Sequence, residues 1–293
     1  MKALIIAEHA AAAAELVAGA RTMADEVVAI SFGGAYECGA DKVLNITVPE
    51  GLTVDSAVET VNAAFDAEAP EVVLVEACRH MKVIAGSLAF HADTAVITDV
   101  TAFEAEGAKS MYFGGIAERV QKAAGNVAIY TIGAGVFDGA EGANGSVAEQ
   151  EWVAPARPVK VVSSQVIEKS GVNLFKADVV VAAGRGFAEE SQLSLANDLC
   201  DKLGAGLACS RPLTEGVNWL PTERYVGVSG LMLTPKAYIA VGISGQMQHM
   251  VGCNRSGAIF AINKDKNAPI FKQCDFGLVG DIKDVLPAIT AAL

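Results

Sequence analysis

No stretch of this 293-residue chain approaches the roughly 18 consecutive apolar residues that a membrane-crossing helix needs. Its first twenty residues lack a basic start, an apolar run and a small-residue cleavage pattern. The expected location is the cytoplasm, with no membrane insertion. The cysteines at positions 38, 78, 200, 209, 253 and 274 form no CxxC pair, and no histidine stands at metal-ligand spacing from any of them. They read as small buried thiols in a reducing compartment, and no metal is expected. His9, His80, His91 and His249 are equally scattered. Lys and Arg number 22 against 34 Asp and Glu, a net charge of −12, which is the wrong sign for nucleic acid. There is no GxxxxGK[ST] tract. Neither GAGVFD at 133–138 nor GRGFAE at 184–189 completes GxGxxG, and Glu189 would set negative charge beside a pyrophosphate. A standard NTPase or NAD-binding reading is weak.

What is present is a globular chain long enough for two domains, with 52% hydrophobic and 19% charged residues. The charge is unevenly placed. Residues 1–167 hold 10 Lys and Arg against 22 Asp and Glu, whereas residues 168–293 hold 12 of each. The neutral second half can take an anionic ligand without a large opposing field; an acidic surface that only aids solubility is the plainer account of the first.

Short apolar runs at 3–7 (ALIIA), 27–30 (VVAI), 72–75 (VVLV) and 95–97 (AVI) read as buried strands, and 16–24 and 54–65 as crossover helices. Residues 114–115 and 134–146 read as loops. The second half repeats the rhythm: strands at 179–183, 206–209, 238–243 and 258–262, and a helix carrying Leu193, Ala196, Cys200 and Leu203 on one face. Gly204 and Gly206 suit its stop. Asp281 suits the cap of a final helical segment, which Pro287 should interrupt or reshape. These alternations predict two α/β domains, each with a mainly parallel sheet covered by helices. The boundary falls at about 155–175, giving an N-terminal domain over 1–165 and a C-terminal domain over 166–293.

Polar or cationic groups follow four successive predicted strands of the second half. Gly184-Arg185-Gly186 follows the first, Ser210-Arg211 the second, Ser244 to His249 the third, and Asn263-Lys264-Asp265 the fourth. Open α/β sheets bind ligands at the C-terminal ends of their strands, so Arg185, Arg211, Ser244, His249 and Asn263 describe one crevice. Each loop alone is equally consistent with an ordinary turn and a solvated side chain.

At these residues the sequence resembles the alpha subunits of electron transfer flavoproteins. The carrying tracts are YIAVGISGQMQH (238–249), AINKDKNAPIF (261–271) and DFGLVGD (275–281), with the glycine-arginine-glycine turn and the serine-arginine pair. The likeness is ordered over about 175–293 and looser before it. ACSRP (208–212), ERYVGVS (223–229) and GISGQMQHMVG (242–252) place it nearest the FixB-type branch.

The resemblance implies a Rossmann-like FAD-binding domain in the second half. It implies that Arg185 meets the adenosine or phosphate end, that Ser210 and Arg211 lie near the isoalloxazine, and that Val226, Gly227, Val228 and Ser229 follow the ring edge. Ser244, Gly245, Gln246, Met247, Gln248 and His249 would serve the pyrophosphate, ribityl chain and ring carbonyl; Asn263, Asp281 and Ile282 would hold the adenosine portion. A cation at the ring's N1–C2=O edge, such as His249, or Arg211 over the ring, would favour reduced flavin. Ser229 stands where the family commonly has Thr, and Leu231 where a polar residue often follows.

The implied partners are a smaller beta subunit in a heterodimer and an acyl-CoA dehydrogenase or reductase-type redox partner. A bifurcating system with a second FAD in the beta subunit is compatible with the branch and is left open. Two other classes compete. One is a non-redox adenine-nucleotide-binding module, which would need neither His249 nor Arg211; the other is a scaffold built on the acidic first half.

Overall fold

The computed structural model describes residues 1–139, 142–165 and 172–293. Two compact units emerge, Met1–Tyr112 with Glu118–Val166, and Phe113–Ala117 with Ile167–Leu293.

In the first unit, β1 (Lys2–Ile6), β2 (Glu26–Phe32), β3 (Lys42–Ile46) and β4 (Val72–Glu76) alternate with α1 (Ala10–Arg21), α2 (Val58–Glu68) and α3 (Arg79–His91). β5 (Val96–Glu104), β6 (Gly107–Tyr112), β7 (Ala117–Gln121), β8 (Ala128–Ile132) and β9 (Ser146–Glu149) complete a sheet of order β7-β6-β5-β8-β4-β1-β2-β3-β9. All its registered pairs are parallel except β5 with β6. The continuous apolar runs follow from burial on both faces. Leu4, Ile6, Val28, Ile30, Val73 and Val75 join Met81, Ile84 and Leu88 of α3 in one core. Ala3, Ile5, Val27, Ala29 and Leu74 join Leu16 and Val17 of α1 in the other.

The first helix begins six residues earlier than its apolar periodicity suggests. Residues 10–14 are all alanine, which favours helix strongly but shows no periodicity. The strand expected at 95–97 runs on to Glu104, because pairing with β6 extends it beyond its buried half.

The second unit holds β10 (Val179–Ala183), α4 (Leu193–Leu203), β11 (Gly206–Cys209), β12 (Ala237–Val241), α5 (Met247–Met250), β13 (Ala258–Asn263), β14 (Phe276–Val279) and α6 (Ile282–Ala292). Its sheet is entirely parallel, in the order β11-β10-β12-β13-β14. α4 buries Leu193, Ala196, Leu199 and Cys200 and ends on left-handed Gly204. The strand expected at 238–243 stops at Val241, because Gly242 turns the chain at φ 65°.

Asp281 caps α6, its carboxylate accepting from Lys283 N–H at 3.0 Å. Pro287 does not interrupt this helix, contrary to expectation. Pro287 and Lys283 both face solvent, so water can satisfy the carbonyl that Pro287 leaves without a donor. Buried Ile282 and Leu286 anchor the opposite face. No helix among the described residues is long and apolar enough to cross a membrane.

Candidate functional site

The chain enters the second sheet at β10, crosses through α4 to β11 on one side, and returns to β12 on the other. Parallel sheets open a crevice at such a reversal, beyond the C-terminal strand ends. Here the two strand ends approach closely. Gly186 N–H donates to the Gly242 carbonyl at 2.9 Å, and a Cβ on Gly186 would lie 2.5 Å from Gly242 Cα. The glycines flanking Arg185 are thus required by backbone packing.

Beyond this contact lies a cavity of about 470 Å³, in the usual range for small-molecule sites. The five residues that sequence reasoning grouped, Arg185, Arg211, Ser244, His249 and Asn263, all line it. Ser210, Val228, Ser229, Gln246, Gln248, Asp281 and Ile282 join them. Four other expected residues stand outside the lining. Val226 is fully buried in the core beneath, and Gly227 packs against the Gln248 carbonyl. Gly245 accepts from Gln273 Nε2 through its carbonyl, and a Cβ there would strike Ile270. Met247 is more than one-third exposed and does not face the cavity wall. Val226, Gly227 and Gly245 shape the loops that carry their neighbours.

Several lining groups are already engaged. Arg211 Nε donates to Glu215 Oε2 at 2.6 Å, one helical turn on, so its charge is partly neutralised in place. Asn263 Nδ2 donates to the Ile243 carbonyl at 2.9 Å while its Oδ1 accepts from Asp265 N–H, tying two strand-end loops together. Ser229 Oγ lies 3.2 Å from Tyr225 Oη. Arg185 is exposed and has no hydrogen-bond or ion-pair partner among the described residues.

His249 is the most constrained. Its Nε2 lies 2.9 Å from Tyr238 Oη, and its Nδ1 is buried without a hydrogen-bond partner. Burial lowers its pKa to about 4; the Val226 carbonyl beside the ring pulls the other way, in a geometry short of a regular hydrogen bond. With that shift the ring is neutral at pH 7 in the protein alone, where the sequence reading expected an imidazolium beside the flavin. Burial also raises the Tyr238 phenol well above its ordinary value, so that group stays protonated. Cys209 and Cys253, pushed up to about 12 by burial, stay protonated here.

The sequence reading missed Tyr225, Pro212 and Pro269 in the wall. Tyr225 sits inside the ERYVGVS tract, which was the available signal; in the structure its ring packs beneath Gly227 and Gly230.

An orphaned ring nitrogen, a largely apolar wall, backbone brought close by glycines and a free arginine at the rim together fit a flat, partly polar, anionic nucleotide cofactor. Residues 3–157 match the electron transfer flavoprotein domain, and residues 173–254 match the electron transfer flavoprotein FAD-binding domain. Protein FixB of Escherichia coli O157:H7 is 40% identical over 293 residues, covering 95% of this chain and 94% of that protein. Protein FixB of Shigella flexneri matches with the same identity and coverage. A solved structure of a putative thiamin diphosphate-dependent enzyme isolated from Mycobacterium smegmatis has a TM-score of 0.25 and 15% identity. It covers 86% of this chain and 55% of that one, a likeness too weak to bear on the fold or the activity.

The chain belongs to the electron transfer flavoprotein family. Within it, this is a FixB-type alpha subunit, an electron-transport flavoprotein that binds FAD and forms a heterodimer with a beta subunit.

Proposed function

We propose that the cavity at the β10–β12 reversal is the FAD site, and that the surrounding residues divide the cofactor between them. In this reading Arg185 meets the phosphates or adenosine. Ser210, Arg211, Val228 and Ser229 border the ring edge, and Ser244, Gln246 and Gln248 serve the pyrophosphate and ribityl chain. Asn263, Asp281 and Ile282 border the adenosine. Because Asn263 and Asp281 already spend side-chain groups on backbone partners, they contribute mainly shape.

The observation that carries the reading is His249, buried in the cavity wall with Nε2 on Tyr238 Oη and Nδ1 left without a well-formed hydrogen bond. An unsatisfied buried polar atom costs about 1–3 kcal/mol unless a ligand meets it. When the Tyr238 hydroxyl donates to Nε2, Nδ1 carries the ring proton, and His249 is a neutral donor to a cofactor oxygen. The bound flavin supplies the redox chemistry; the protein orients it, limits water and sets the local charge.

The electron donor or acceptor is an acyl-CoA dehydrogenase or reductase-type partner, and the domain over 1–165, which holds the excess negative charge, faces partners. We place the heterodimer in the cytoplasm. To test the site, the heterodimer is purified with its beta subunit and its FAD content and affinity are compared with Arg185→Ala and His249→Ala. Both variants should bind FAD more weakly at this site. Unchanged affinity in both would move the cofactor elsewhere.

A further inference from the structure

The N-terminal sheet has a reversal of its own. β1 lies between β2, which follows it through α1, and β4, which arrives later on the other side. The region beyond the ends of β1 and β4 is thus a second place where an open α/β sheet can hold a ligand. Glu8 and His9 follow β1; Glu76 ends β4, and Cys78 and His80 follow it.

A carboxylate oxygen of Glu8, a ring nitrogen of His9 and the Cys78 sulfur lie within 4.8 Å of one another, with Glu8 Oε2 at 3.2 Å from Cys78 Sγ. Bonds of about 2.0–2.3 Å to a tetrahedral zinc would place such atoms roughly 3–4 Å apart, within small side-chain adjustments of what is seen. The groups behind them are ordered in the same sense. Glu76 Oε1 lies 2.7 Å from His9 Nδ1, and its Oε2 accepts the backbone N–H groups of Glu8 and His9 at 2.8 and 3.1 Å. His80 Nδ1 stands 2.9 Å from Glu8 Oε1. A histidine backed by a carboxylate, and a carboxylate held by a further hydrogen bond, are the usual supports of metal ligands.

Two more observations point to a cation. Among the described residues neither Glu8 nor Glu76 is paired with Lys or Arg; their only ion-pair partners are the two histidines. His9 and Cys78 are also the N-cap residues of α1 and α3, yet neither side chain makes a capping bond. Their polar atoms turn instead to Glu76 and Glu8. The FAD cavity uses none of these residues.

We propose that Glu8, His9 and Cys78 bind one divalent transition metal of the zinc class, with Glu76 orienting His9 and His80 orienting Glu8. A thiol, an imidazole and a carboxylate select a borderline ion over Mg²⁺ or Ca²⁺, which take oxygen ligands. Coordination displaces the thiol proton to solvent, and three protein ligands leave a fourth position for water.

The test is a Co²⁺ titration of the purified heterodimer, read as a difference spectrum against its flavin absorbance. One Co²⁺ should bind per alpha chain with a near-ultraviolet thiolate charge-transfer band, be displaced by Zn²⁺, and lose the band in Cys78→Ser. Affinity should fall about tenfold or more in His9→Ala and in Glu76→Gln. Cobalt binding without a thiolate band, a band that survives Cys78→Ser, or unchanged affinity in His9→Ala overturns the proposal. His9 is largely exposed, so its variant keeps the fold and stays decisive if Cys78→Ser folds poorly.

Discussion

Tyr238 Oη lies 2.9 Å from His249 Nε2, and both side chains are buried beside the cavity. The tyrosine comes from a central strand and the histidine from the short helix after it, so the sheet itself fixes the imidazole. Tyr238→Phe keeps the ring and removes the one hydroxyl, leaving a buried nitrogen without a partner. The expected cost is about 1–3 kcal/mol of stability, measured by urea unfolding. Nitrogen-15 spectra of His249 should show a mixed tautomer where the wild type shows one, and the flavin potential should shift. A single unchanged tautomer would mean that Tyr238 packs without positioning His249.

The acid behaviour follows from the same burial. His249 has a pKa of about 4 in the folded chain against 6.5 for an unperturbed ring. Between those values the unfolded chain binds a proton that the native chain refuses, so stability is full above pH 6.5 and falls as the pH drops towards 4. Over that window the loss is roughly 3 kcal/mol. Urea unfolding at pH 7.5 and pH 4.5 should reveal it, and His249→Gln should remove this share of the difference. Flavin affinity should show no step from His249 between pH 6 and pH 8, which a histidine charged at neutral pH would produce.

The close approach of the two strand ends makes Gly186 sensitive. An alanine there would put Cβ 2.5 Å from Gly242 Cα, and backbone on both sides leaves little room to yield. Gly186→Ala should destabilise the protein by about 1–3 kcal/mol and weaken FAD binding as the strand ends part. Gly133→Ala, where an added Cβ meets nothing within 4 Å, is the control and should be near neutral. Thermal unfolding and FAD titration of the two variants check the contrast.

Four strands of the second unit, β10 to β13, were legible because each carries a four- or five-residue apolar run closed by small or polar residues, and a parallel sheet buries such a run; the edge strand β14, exposed along its length, was not read. The crevice followed, since topology alone carries the strand ends to one edge. What could not be read was the state of the groups placed there. His249 looked cationic from its residue type, whereas burial makes it neutral in the protein alone. Arg211 looked free, although Glu215 at the fourth position onward was visible as a pairing partner. His9 and Cys78 showed no ligand spacing because two separate strands bring them together.

Arg211 and Glu215 give the last expectation. Their contact of 2.6 Å sets a negative charge beside the only arginine of the SR pair, and both side chains are substantially exposed. The pair therefore adds little to stability, and Glu215→Gln should change unfolding by less than about 1 kcal/mol. Its electrostatic effect on a nearby ring should be clearer, because the guanidinium would act without a compensating carboxylate. The flavin midpoint potential should rise, on the order of tens of millivolts, since removing an anion near the ring favours the reduced, more negative form. The rise should shrink at high salt, as exposed charges are screened over about 10 Å at 0.1 M. Potentiometry of the heterodimer at low and high ionic strength measures both. An unchanged potential at low salt would place Arg211 and Glu215 away from the ring.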